Sequence, residues 1–360
     1  MKLFLKNIAN TYFIIACLIL AIPLSHDGLM LVLRSIGHEE EDSRALLPNY
    51  ASLPWSTKHF AEFHNLKTDF KAFVGWQRRP FQGETITLDP IRRNRITPPP
   101  SEPTRQTVYF FGGSTMWGTG SDDANTIPFH FQRVSKFKAV NFGESGWLAH
   151  QSLNQLFRLY LEGDRPELVI FYSGVNEIGR CRSEVSHYAY SREGEIQNAL
   201  AFKPYEGGYL LRVLTSVAAM LPSSLGRAVG ISAPPGYDCD SNPQKAELVA
   251  EAMVMDWEIA RDFVQSHGGK FAAFLQPVAF EGAPKVDAIN LDTKMGAQYK
   301  ALYPIMRRKM SERQIGYDLS NSFDIDQFIY IDFCHVSPNG NEIVADKIWR
   351  QVRTRETQAN

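Results

Sequence analysis

Short apolar strands that alternate with amphipathic helices decide what this chain can fold into. Thr107 to Phe111, Lys138 to Phe142, Leu168 to Tyr172 and Lys270 to Leu275 are runs of strand length, rich in β-branched and aromatic residues. Between them, Gln151 to Leu161 carries leucines and a phenylalanine at helical spacing. Ala246 to Gln265 does the same with Leu248, Met253, Trp257 and Phe263. Near-continuous apolar runs read as strands buried on both faces. Their alternation with helices predicts an α/β domain, a mainly parallel sheet with helices on either side. In such sheets, chemistry collects beyond the carboxyl ends of the strands. Here those ends run into polar turns, most of them rich in glycine.

Composition removes several function classes. Lys and Arg number 38 against 39 Asp and Glu, a formal net charge of −1, so the basic footprint of a nucleic-acid binder is missing. Four cysteines in 360 residues are too few for a disulfide scaffold, and no pair has zinc-ribbon spacing. No His-Glu-x-x-His or comparable ligand set is visible, and neither a metal nor a cofactor is expected.

The N-terminus reads differently from the rest. Lys2 and Lys6 precede an uncharged apolar run from Tyr12 to Leu24. That pattern predicts an uncleaved signal anchor over residues 1–34, with the lysines cytoplasmic and the remaining chain outside the cytoplasm. The membrane is therefore an expected partner. Residues 35–104 read as an approach segment or linker. They contain a solvated turn at Glu39 to Asp42, a short strand at Thr85 to Leu88, and a proline boundary at Pro98-Pro99-Pro100. Arg92, Arg93 and Arg95 are read there as a solvated loop. The α/β domain is expected over 105–355, interrupted by an insertion or cap at about 180–245. Cys181 and Cys239 bracket that insertion, and outside the cytoplasm they can pair.

Four turns hold the chemical candidates. Phe111-Gly112-Gly113-Ser114-Thr115 follows the first strand. It is not a P-loop, because Gly118 is followed by Thr119-Gly120 rather than a Lys-Ser or Lys-Thr pair. It is not a dinucleotide fingerprint either, because Gly118-Thr119-Gly120 runs into Ser121-Asp122-Asp123. What remains is a serine on a glycine turn, with backbone N–H groups beside it. Asn141-Phe142-Gly143-Glu144-Ser145-Gly146 follows the second strand, and Gly174-Val175-Asn176-Glu177 the third. Near the C-terminus stands Asp332-Phe333-Cys334-His335. An aspartate three residues before a histidine can fix its tautomer and balance the imidazolium.

Taken together and in this order, the four turns resemble the blocks of the SGNH, or GDSL-like, hydrolases over roughly residues 105 to 350. The resemblance implies a flavodoxin-like three-layer α/β/α sandwich. It implies a triad of Ser114, His335 and Asp332, with an oxyanion hole from the N–H of Ser114, the N–H of Gly146 and the side-chain amide of Asn176. Two positions depart from the family pattern. Gly113 stands where an aspartate is usual, and Glu177 where the acid after the asparagine is usually an aspartate. The expected activity is ester hydrolysis through an acyl-enzyme, with a lipid, an acetylated glycan or a small ester as substrate. Two other readings use the same fold: an O-acyltransferase of an exported polysaccharide, and a catalytically silent membrane-tethered binding module. Trp117, Trp147 and Tyr172, close to the turns, either stack sugars or pack.

Overall fold

The computed structural model describes residues 42–102, 104–135, 137–189, 193, 196 and 236–358. The expected anchor at 1–34 lies outside them, as does most of the expected insertion. Among the described residues, no helix is long and apolar enough to cross a membrane.

The chain starts with two 3₁₀ turns, Ser43–Leu46 and Pro48–Tyr50, and helix α1, Ser56–Asn65. Two small antiparallel hairpins follow: β1 Thr68–Lys71 with β2 Gly75–Arg78, and β3 Phe81–Gln82 with β4 Thr87–Leu88. Next come β5 Thr107–Gly112, the one-turn α2 Ser114–Trp117, α3 Ile127–Val134, β6 Lys138–Asn141, α4 Ala149–Leu161 and β7 Leu168–Ser173. The chain continues through α5 Pro243–Ser266, β8 Lys270–Leu275, α6 Thr293–Glu312, β9 Tyr317–Asp318 and α7 Pro338–Gln358.

Strands β5 to β9 form one sheet in the order β6-β5-β7-β8-β9, and every neighbouring pair is parallel. This is the flavodoxin-like order, whose topological switch point lies at the carboxyl end of the first strand, here β5. The period of two along each strand builds two cores. Tyr109 and Phe111 of β5 and Val169 and Phe171 of β7 face α4, α5 and α6, where Leu156, Trp257 and Tyr303 are buried. Val108, Phe110, Leu168 and Ile170 point the other way, onto Phe131 of α3 and Val344 and Ile348 of α7. Each fully buried aromatic of this kind contributes about 1.5–3 kcal/mol. All six residues of β7 are buried, as a strand covered on both faces requires.

Residues 42–102 pack onto this unit. Phe60 of α1, Tyr50 and Ile331 share a small core, and Ile86, Leu88 and Trp117 share another. Pro98, in the expected proline boundary, accepts a hydrogen bond from Gln132 of α3 at 2.8 Å. The solvated-loop expectation fails for Arg95, which has no exposed surface. Its backbone bridges β4 to the sheet edge by pairing with Leu88 and Asn141. Its guanidinium finds enough carbonyls and a carboxylate to replace water. The insertion leaves and returns at one place. Cys181 and Cys239 form a disulfide, and Ser183 and Asp238 donate to Gly236 and Cys181 across the two stems.

Candidate active site

Ser114 is the first residue of α2, directly after β5 at the switch point. Its N–H has no intrahelical acceptor. Gly113 provides the N-cap. A Cβ on Gly113 would stand 2.1 Å from the Asn176 Nδ2, so a glycine here lets the first and third turns approach each other. The usual aspartate would not fit without displacing Asn176.

Two buried groups fix α2 from behind. Asn141, the last residue of β6, donates from Nδ2 to the carbonyls of Met116 and Trp117 at 3.0 and 3.2 Å. Arg95 donates from Nη1 to the carbonyls of Trp117 and Gly118 at 3.1 and 2.7 Å, and from Nε to Asp123 at 2.9 Å. The Arg95 and Arg78 guanidinium carbons lie 4.3 and 3.9 Å from the Trp117 ring centre. Burial pushes both guanidinium pKa values down, against the opposing pull of Asp123 and Glu144.

The second turn hangs on Glu144. Its carboxylate pairs with Arg78 and accepts from the Ser145 N–H at 2.8 Å. Gly146 then adopts φ +74°, in the left-handed region that favours glycine. The third turn starts at Gly174. Asn176 donates from Nδ2 to the Trp147 carbonyl at 2.9 Å, which ties it to the neighbour of Gly146. An amide nitrogen has two hydrogens, so one remains for a ligand. Glu177 is fully buried, accepts from the Ala149 N–H at 2.9 Å and pairs with Arg180 at 3.0 Å. Burial pushes its carboxyl pKa up, and Arg180 and the Ala149 N–H oppose this. The departure at 177 thus sits in a structural link between the second and third turns.

The fourth turn completes the geometry. Asp332 Oδ1 accepts from the N–H groups of Cys334 and His335 at 3.0 and 2.8 Å. Its Oδ2 accepts from His335 Nδ1 at 2.7 Å, and His335 Nε2 lies 2.7 Å from Ser114 Oγ. With Nδ1–H committed to Asp332, Nε2 carries the lone pair that accepts the serine proton. Burial raises the Asp332 carboxyl, but the His335 charge and the three N–H donors outweigh it. The group is held well below the usual carboxylate range.

All the expected site residues therefore sit on the four turns at the carboxyl ends of the strands, and Ser114, His335 and Asp332 form one hydrogen-bonded chain. Asp332, Cys334 and His335 also bring potential metal-ligand atoms within 4.8 Å of one another. Two of these residues already bond each other, and burial pushes the Cys334 thiol far up, away from the thiolate a metal needs. Trp117, Trp147 and Tyr172 are buried, so they pack. Arg44 was not found by reading the sequence. Its Nη1 lies 3.4 Å from Asp332 Oδ2 across 288 residues, and no local pattern marks it.

No protein-family model and no curated protein matches the chain. Solved structures do. A carbohydrate acetylesterase family member from Sinorhizobium meliloti is 15% identical, with a TM-score of 0.39, over 69% of this chain and 98% of that one. A GDSL-like lipase from Bacteroides thetaiotaomicron is 12% identical, with a TM-score of 0.39, over 71% and 92%. An acetyl xylan esterase is 14% identical, with a TM-score of 0.40, over 68% and 99%.

Proposed function

We propose that this chain is a serine ester hydrolase acting through an acyl-enzyme. The observation that carries the reading is the continuous chain from Ser114 Oγ through His335 to Asp332, with both side-chain links at 2.7 Å. Ser114 Oγ attacks the ester carbonyl carbon while its proton passes to His335 Nε2. The imidazolium forms beside an ionised Asp332. The carbonyl oxygen takes up negative charge among the N–H of Ser114, the N–H of Gly146 and the free N–H of Asn176. When the C–O bond breaks, His335 returns the proton to the leaving alkoxide. Water then repeats the sequence on the acyl-serine and releases the acid.

A fluorophosphonate probe tests the nucleophile and the oxyanion donors together, because phosphonylation develops the same charge. The expected result is one adduct on Ser114, formed about 100-fold more slowly in Asn176→Ala. Labelling of the heat-unfolded protein at the native rate, or of another residue, would reject the assignment.

We further propose that the domain works outside the cytoplasm, tethered through residues 1–34. The Cys181–Cys239 disulfide supports this, because such bonds persist in oxidising compartments. Alkylation of the unfolded, unreduced protein released from its native cells should modify Cys334 and leave Cys181 and Cys239 untouched. Free thiols at 181 and 239 would contradict the placement.

A further inference from the structure

The acid of the site is reached by a cation from outside the four turns. Arg44 Nη1 lies 3.4 Å from Asp332 Oδ2, the same oxygen that accepts from His335 Nδ1. Arg44 is held in place. Its Nε lies 3.0 Å from Asp42 Oδ1, its Nη2 lies 2.7 Å from Asp42 Oδ2, and its own N–H donates to Asp42 Oδ1 at 3.0 Å. The guanidinium carbon sits 4.8 Å from the ring centre of Phe60, which is buried in α1. The side chain is 22% exposed, so its charge is only partly screened.

A carboxylate offers about four lone-pair directions. Asp332 uses them on four donors: the N–H groups of Cys334 and His335, His335 Nδ1 and Arg44 Nη1. Arg44 therefore completes the set that fixes the carboxylate's rotation. It also carries positive charge to the oxygen that stabilises the imidazolium, and so disfavours protonated His335. The other groups in range do not replace it. Asp42 partly balances Arg44 and is itself bonded to His64. Tyr50, Tyr299 and Cys334 are buried, and burial pushes each of them up, so they stay neutral. Ser114 is neutral.

We propose that Arg44 is a positioning residue that orients Asp332 and sets the pH at which His335 becomes available as a base. The proposal rests on the reading of Asp332 and His335 as acid and base.

The test is an NMR titration of the ring-labelled histidines in the full chain, alongside kinetics on an aryl acetate. In Arg44→Gln, the His335 midpoint and the acid limb of kcat/KM both move to higher pH, by roughly half a unit to one unit. Above that limb, kcat falls by about 3- to 10-fold, with KM within about twofold. Arg44→Lys keeps the charge and returns the midpoint to within about 0.3 unit. Asp42→Asn removes the anchor of Arg44, so its effect on the midpoint is larger with Arg44 present than in the Arg44→Gln background. Arg44→Met, which removes the same charge but keeps the stem on Phe60, repeats the test if Arg44→Gln does not fold. Midpoints that coincide in the parent, Arg44→Gln and Asp42→Asn would overturn the proposal. The titration needs no turnover, so absence of ester hydrolysis in the parent would overturn the hydrolase reading alone.

Discussion

Ser114→Ala lowers kcat/KM for an aryl acetate by about 10⁴- to 10⁶-fold, with the melting temperature unchanged within a few degrees. The size follows from what the serine does. Without Oγ there is no covalent step, and what survives is binding plus whatever the oxyanion donors give to direct attack by water. The small stability effect follows from what it touches. The Ser114 hydroxyl bonds His335 and is half-buried, whereas the neighbouring residues of α2 are anchored by Asn141 and Arg95. A variant that kept activity within tenfold of the parent would remove the nucleophile from the account.

Asp332→Asn lowers kcat by about 10⁴-fold. Two N–H groups donate to Asp332 Oδ1, so an asparagine keeps its oxygen there. Its NH₂ then takes the place of Oδ2, between His335 Nδ1 and Arg44 Nη1. A donor facing Nδ1 draws the lone pair to that nitrogen and puts the ring proton on Nε2. Ser114 then meets a donor where it needs an acceptor. Kinetics on the variant, with a nitrogen-edited NMR spectrum to read the tautomer, checks both halves. A ring still protonated at Nδ1 with near-normal kcat would mean that Asp332 does not set the tautomer.

The parts legible in the sequence were those in which one residue type does one job locally. Strands β5, β7 and β8 are buried on both faces and appear as near-continuous apolar runs, whereas the edge strand β6 is only partly buried. The first three motif turns sit where β5, β6 and β7 end, whereas the fourth, Asp332 to His335, directly precedes α7. Strand β9 could not be seen, because Tyr317–Asp318 is too short to carry a pattern. Within residues 42–102, β4 lies inside the strand expected at Thr85 to Leu88, but the other strands span two to four residues and their packing depends on partners far along the chain. A buried arginine looks like a solvated one until its acceptors are known. Arg95 was therefore misread, and Arg44 was not singled out. Gly113 was legible only as a departure from the family pattern. Its reason, the amide of Asn176 standing where a Cβ would be, lies in the third turn.

The central claim is that Ser114 carries the acyl group between two half-reactions. Acid-quenching the protein during turnover of an aryl acetate and mapping its peptides by mass tests this most directly. The account predicts one acetyl group, on the peptide holding Ser114, absent from Ser114→Ala. Steady turnover with Ser114 unmodified, or an acetyl group carried on a different residue, would contradict it.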